Sequence, residues 1–271
     1  MCTVVLGLGV LPGARWVLAA NRDELRARPA ERARARVTPA GHAWFGPLDL
    51  EAGGTWLGAN AHGLVVAVTN RFGAARDPTR RSRGGLVVAA LEATTLEAAV
   101  EAIAATPPDA TNPFHLVVAD ARAGHLFVGD GQTRAARALG PGWHVLTERS
   151  FGALAPRDQG PSAPAAPDAP PPMRAERVRA RLDALALSTQ APASWPGALH
   201  AALATHAADP FESACVHLDG FGYGTRATTI AWAGDDARAW HEAEGAACAS
   251  VRVDRSAAFA AVSPARGAEA R

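Results

Sequence analysis

The sequence contains no lysine. All 27 basic side chains are arginine, and 26 acidic side chains nearly balance them, leaving a formal net charge of +1. Missing lysine beside abundant alanine reads as codon bias rather than adaptation. With so little net charge, no global field steers the chain toward nucleic acid or anionic membranes. Cysteine is scarce as well. Cys2, Cys215 and Cys248 are odd in number, widely separated and without a C-x-x-C pair. That excludes a disulfide framework and leaves no spacing that suggests zinc, a redox dithiol or haem attachment, so no metal ligands are expected. No apolar run approaches the roughly 18 residues of a membrane helix. The N-terminal stretch lacks the basic region and small-residue cleavage site of a secretory signal, so a soluble cytoplasmic protein without membrane insertion is expected. Neither a G-x-G-x-x-G nor a P-loop motif argues for a nucleotide-binding parallel sheet.

A chain of 271 residues with 48% hydrophobic content suffices for one large domain with a well-buried core, here taken as 1–271. Residues 3–10 and 15–23 are strand-like and flank Leu11-Pro12-Gly13-Ala14, which predicts a β-hairpin. A loop centred between Pro12 and Gly13 places Cys2 opposite Asp23, with Asn21 on the same face. A second hairpin turns at Asn60-Ala61-His62-Gly63 and brings Asn70 back beside Gly53. Residues 84–105 have the length and apolar spacing of a helix. A third hairpin joins 114–119 to 125–128. The stretch 155–172 is dominated by Pro and Ala and reads as a surface loop. Helices are expected at 173–187 and 195–206, and strands around 215–217, 225–233, 237–244 and 249–253. Two antiparallel sheets covered by helices satisfy this order, an α+β architecture.

Cys2 is the first candidate for chemistry, because a small second residue is compatible with removal of the initiator Met. Removal would put a thiol and a free α-amine on one residue. That amine, with an ordinary pKa of about 7.7 to 8.0, can take the thiol proton. Asp23 could orient the amine and stabilise its positive charge. Asn70, at a strand end, could donate its amide to a developing oxyanion. Gly53 and Gly54 allow close backbone approach beside that strand.

The run Ala19-Ala20-Asn21-Arg22-Asp23-Glu24, then Arg28-Pro29, Gly53-Gly54-Thr55-Trp56-Leu57-Gly58, Thr69-Asn70 and Tyr223-Gly224-Thr225-Arg226 resembles the NRDE family, also called the transport and Golgi organisation protein 2 family. More distantly, Met1-Cys2-Thr3, Asn21-x-Asp23 and the run from Gly63 to Asn70 look like the choloylglycine hydrolase and penicillin V acylase group. The resemblance implies a four-layer αββα sandwich of the N-terminal-nucleophile (Ntn) hydrolase type. It also implies Cys2 as nucleophile, Asp23 holding its amine and Asn70 in an oxyanion hole. Asn21, Arg22, Gly53, Gly54, Thr55, Trp56 and Arg226, within the shared motifs, are expected to bind substrate. Two departures stand out. The acylase-group Arg before the Asn-x-Asp run is Ala19 or Ala20 here. After His144-Val145-Leu146-Thr147, where that group has a second oxyanion Asn, this chain has Glu148, a carboxylate that would repel an oxyanion. Arg174 or Arg177 is a candidate for a later active-site Arg.

The leading functional reading is an amide or thioester hydrolase acting on a small acyl compound through an acyl-Cys2 intermediate, with no cofactor. The alternative implied by the family is a haem or lipid and acyl-CoA handling protein, for which Cys2, His62 and His115 are the conceivable axial ligands. Oligomeric state is left open, a homo-oligomer included.

Overall fold

The computed structural model describes residues 2–72, 76–150, 173–235 and 237–262. The expected loop at 155–172 lies outside the described residues. The first sheet has the strand order β10-β1-β2-β12-β13-β14, with β11 paired to β12 off that path. Its members are β1 (Cys2–Leu11), β2 (Ala14–Leu25), β10 (Gly142–Leu146), β11 (His217–Leu218), β12 (Tyr223–Ala233), β13 (Arg238–Glu244) and β14 (Arg252–Asp254). The second sheet runs β3 to β9 in sequence order: β3 (Ala30–Val37), β4 (Ala43–Asp49), β5 (Leu57–Asn60), β6 (Val65–Asn70), β7 (Phe114–Ala119), β8 (Gly124–Gly129) and β9 (Arg134–Leu139). Within both sheets every pairing of neighbouring strands is antiparallel.

Alternation along the strands decides the layers, because successive side chains point to opposite faces. Val4, Leu6 and Leu8 of β1 join Trp16, Leu18 and Ala20 of β2 in a core between the sheets, with Phe45, Leu57 and Val117 from the second sheet. Val5, Val17 and Ala19 point outward and pack with helices α3 (Met173–Ala184) and α4 (Trp195–Leu203) through Val178, Leu182, Trp195 and Leu199. On the far side, Val66, Val68 and Leu116 meet Leu86, Leu91, Ala99 and Ile103 of α1 (Gly84–Leu91) and α2 (Leu96–Ala105). The four layers are therefore helix, sheet, sheet, helix, as expected. A short helix α5 (Ser256–Ala260) inserts Phe259 between the sheets, against Trp16, Phe45 and Trp240. Among the described residues no helix is long and apolar enough to cross a membrane.

Three local expectations are corrected. The stretch 84–105 forms two helices rather than one. Thr95 adopts an extended backbone and its hydroxyl accepts from the Ala98 N–H, so it caps a new helix instead of continuing the first. The first hairpin does turn at Pro12-Gly13, with Leu11 opposite Ala14, but the ladder then slips by one residue between Leu8 and Leu11. Gly9 takes a left-handed φ of 59° there. A Pro-Gly turn twists against the strands' natural hand, and a bulge restores the twist. Beyond the slip, Cys2 lies opposite Arg22 and Thr3 opposite Asn21, not Cys2 opposite Asp23. In the second hairpin Leu57 pairs with Ala67, which is also one residue away from the pairing expected.

Candidate active site

Cys2 opens onto a cleft of about 520 Å³ at the end of the sandwich. Arg22, Asp23, Gly53, Thr55, Trp56 and Asn70 share its walls. The register places Cys2 and Arg22 on the face of the first sheet that looks into the sandwich. Arg22 is buried, its guanidinium 4.5 Å over the Trp56 ring and 3.5 Å from Asp49. Asp23 follows on the opposite face, toward the α3 and α4 layer, yet it lines the same cleft as Cys2. Proximity of Cys2 and Asp23 is thus achieved through the backbone of β2, not through side chains directly across a ladder.

The Asp23 carboxylate is 2% exposed. Its Oδ1 accepts from the Thr225 hydroxyl at 2.6 Å, and its Oδ2 lies 3.8 Å from Arg174 Nη1. Burial pushes its pKa up to about 7, against the lowering effect of the Thr225 hydrogen bond and Arg174. Burial also raises the Cys2 thiol, against the lowering influence of the Asp23 backbone. Tyr223 donates its hydroxyl to the Asp23 carbonyl at 2.6 Å. Burial and nearby negative groups push that phenol well above its usual range.

Glu148 does not present a bare carboxylate to the cleft. It is buried and ion-paired with Arg174 at 3.0 Å, and both side chains are 3% exposed. Arg174 is itself fixed by its backbone N–H donating to Glu212 at 2.7 Å and by Nη2 donating to the Phe211 carbonyl. A single guanidinium therefore lies between Asp23 and Glu148, and the expected repulsion is neutralised from helix α3.

A second cation comes from a segment the motifs did not touch. Residues 76–83 form one rim of the cleft, held by reciprocal hydrogen bonds between the Asn112 side chain and the Asp77 backbone, each 2.8 Å. Arg83 closes that rim and donates to the Pro113 carbonyl at 3.0 Å. Burial lowers its pKa, and the charge of Cys2 is the largest influence opposing that. Among the described residues it forms no ion pair with a carboxylate.

The remaining sequence candidates are placed differently. Asn21 is buried on the helix side, where its amide donates to Leu203 and Ala214 carbonyls at 2.9 and 2.8 Å and its oxygen accepts from Thr228. It clamps backbone and does not line the cleft. Arg226 faces a separate pocket and donates to the Leu25, Arg26 and Arg28 carbonyls, which fixes the turn after β2. Gly54 has a φ of 77°, and a Cβ there would come within 2.7 Å of the Gly84 backbone, so it sets the approach of the 53–55 turn to α1. Gly53, Thr55 and Trp56 line the cleft directly. Of the haem-ligand candidates, His115 is fully buried, its pKa pushed down to about 3 mainly by burial. His62 sits in the turn at the other end of β6 from Asn70, its ring 5.7 Å from that of His42. The fold does not bring these histidines to Cys2.

Sequence reasoning missed Thr225, Tyr223 and Arg83. The first two were within reach, because Tyr223-Gly224-Thr225-Arg226 is one of the shared motifs and its Thr and Tyr, rather than its Arg, touch Asp23. Nothing in the spacing of Arg83 marks it out among the five arginines at 71, 76, 80, 81 and 83.

Comparison with solved structures shows the same architecture. Penicillin V acylase from Agrobacterium tumefaciens superposes with a TM-score of 0.56 at 13% identity, over 94% of this chain and 86% of that one. A mutant conjugated bile acid hydrolase from Clostridium perfringens gives 0.55 at 12% identity, over 94% and 92%. An N-acylethanolamine-hydrolyzing acid amidase orthologue from Caenorhabditis elegans gives 0.54 at 13%, over 84% and 92%. Among relatives, a Transport and Golgi organization protein 2 homolog of Bos taurus is 31% identical over 140 residues, 49% of this chain and 50% of the relative. The Mus musculus homolog is 41% identical over 76 residues, 27% of each chain. The matched stretches thus span half or less of these relatives. The model of the Transport and Golgi organisation 2 family matches residues 1–242, and the chain belongs to that family.

Proposed function

We propose that the protein is an Ntn-type hydrolase that cleaves an amide or thioester of a small acyl compound through Cys2, made N-terminal by removal of Met1. The observation that carries this reading is that Cys2, a buried Asp23 and Asn70 line one cleft. The solved neighbours are named as an acylase, a conjugated bile acid hydrolase and an acid amidase, which agrees with a hydrolytic reaction. At 12 to 13% identity they speak for the fold alone.

In this reading the freed α-amine of Cys2 takes the thiol proton, and Asp23 stabilises the ammonium that results. The thiolate attacks the acyl carbon, and the carbonyl electrons move to oxygen. Asn70 donates to that oxyanion, and Arg83, which lines the same cleft, supplies positive charge. Collapse expels the amine or thiol, protonated by the α-ammonium, and leaves an acyl-Cys2 thioester. Water, deprotonated by the same amine, releases the acid. Arg174 keeps Glu148 from opposing the oxyanion.

The test is the intact mass of natively expressed protein before and after an electrophilic acyl probe. The expected result is loss of Met1 and one acyl adduct that is absent from Cys2→Ala. Catalytically active protein that retains Met1 would overturn the reading.

A further inference from the structure

The fold assembles a second cluster of reactive side chains on the helix-side edge of the first sheet. His206 follows α4, Cys215 and His217 flank Val216 at the start of β11, and Cys248 lies in the turn after β13. One ligand atom from each lies within 4.8 Å of all the others. His217 Nε2 is 3.4 Å from Cys215 Sγ and 3.3 Å from Cys248 Sγ. The His206 and His217 rings meet edge to face with centroids 5.2 Å apart.

We propose that His206, Cys215, His217 and Cys248 form a zinc-binding site. Tetrahedral zinc has Zn–S bonds of about 2.3 Å and Zn–N bonds of about 2.0 to 2.1 Å, which puts sulfur and nitrogen ligands about 3.6 Å apart. The two sulfur–nitrogen separations are within a few tenths of an ångström of that value, so small side-chain movements complete the shell. On binding, both thiols release their protons to solvent and both imidazoles bind neutral, giving a centre without net charge. The donor set of two thiolates and two imidazoles suits zinc over calcium or magnesium, which prefer oxygen. Four protein ligands leave no open position, so the metal is structural.

The surrounding backbone is organised for such a role. The Cys215 N–H donates to the Thr205 carbonyl at 3.0 Å, which aligns the bend before β11 with the loop carrying His206. His200 Nε2 meets the Ala247 carbonyl at 2.7 Å and steadies the turn carrying Cys248. Asn21, which clamps Leu203 and Ala214, holds the base of the same two segments. Zinc would join the segment from His206 to His217 to the turn carrying Cys248, about thirty residues further on. The absence of a C-x-x-C spacing hides the site from sequence reading, because its ligands come from separate loops. The cluster also adjoins the cleft. Val216 donates to Thr225 Oγ1 at 2.8 Å, and Thr225 donates in turn to Asp23 at 2.6 Å.

The full chain, purified with reductant and without chelator, should carry about one zinc per chain by elemental analysis. Replacement by Co²⁺ should give the visible and near-ultraviolet absorption of a tetrahedral thiolate complex. Cys248→Ser and His206→Ala alter exposed residues and should leave the fold intact while weakening the metal by more than the about 10- to 100-fold lost with an outer-shell partner. Cys2→Ala should bind the metal as the parent does, which separates this site from the proposed nucleophile. Reduced, folded protein that holds no zinc and gives no Co²⁺–thiolate spectrum would overturn the proposal. So would metal content that follows Cys2 rather than Cys248, or a Cys215–Cys248 disulfide that persists under reductant.

Discussion

Arg174 and Glu148 form a buried ion pair, Nη1 to Oε2 at 3.0 Å, in which each side chain is 3% exposed. A pair of this kind is costly to break from one side, because the survivor stays buried and charged. Such single changes typically cost about 3 to 5 kcal/mol. Arg174→Met is expected to lose stability in that range by chemical denaturation. The double variant Arg174→Met with Glu148→Gln should recover a large part of it. Additive losses would mean that the two residues are not coupled.

Asp23 supplies a pH signature. Its pKa rises from 3.8 to about 7 on burial in the folded protein. Below about 4 both folded and unfolded chains hold the proton. Between about 4 and about 7 only the folded chain does, so this residue's contribution to stability falls as pH rises and is fully unfavourable above about 7. Asp23→Asn removes the titration. Its melting temperature relative to the parent should therefore climb from pH 4 to pH 8 even though acylation of Cys2 is lost. A difference that stays flat over that interval would show an ordinary carboxyl.

Thr225 is the hinge between this carboxylate and the neighbouring backbone, accepting from Val216 and donating to Asp23. Thr225→Val removes both bonds while keeping the shape. A loss of about 1 to 3 kcal/mol is expected for the unsatisfied groups. Since the Thr225 bond holds the Asp23 pKa down, the midpoint of Asp23 titration, followed by the carboxyl resonance, should move above its parent value. An unchanged midpoint would place Thr225 outside the electrostatics of the site.

The layers of this fold were legible because strand alternation is unambiguous where Val4, Leu6 and Leu8 face one way and Val5 the other. Family membership followed from the motif order. What sequence could not supply was register. The hairpin turn at Pro12-Gly13 was readable, but the compensating bulge at Gly9 was not, and one residue of slip exchanges Asp23 for Arg22 opposite Cys2. Glu148 was visible as a departure, yet its neutralisation depends on Arg174 from a helix beyond the Pro-rich stretch. Tertiary pairings of that separation leave no local pattern.

Gly54 offers the last prediction. It lies outside the chemistry, yet its φ of 77° is a conformation that L side chains rarely adopt, and an added Cβ would stand 2.7 Å from the Gly84 carbon. The three nearest atoms, from Gly84 and Gly85, are all backbone, so no flexible side chain can yield. Gly54→Ala should therefore lose more stability than the about 1 to 3 kcal/mol usual for a strained backbone conformation alone. It should also displace Gly53 and Thr55, which line the cleft, and Arg83 beside Gly84 at the start of α1. Cys2 labelling by the acyl probe should slow in parallel, while Gly53→Ala, with open space around its Cβ, should cost only the backbone strain. If the two variants behaved alike in denaturation and labelling, the contact between the 53–55 turn and α1 would not be what positions this rim.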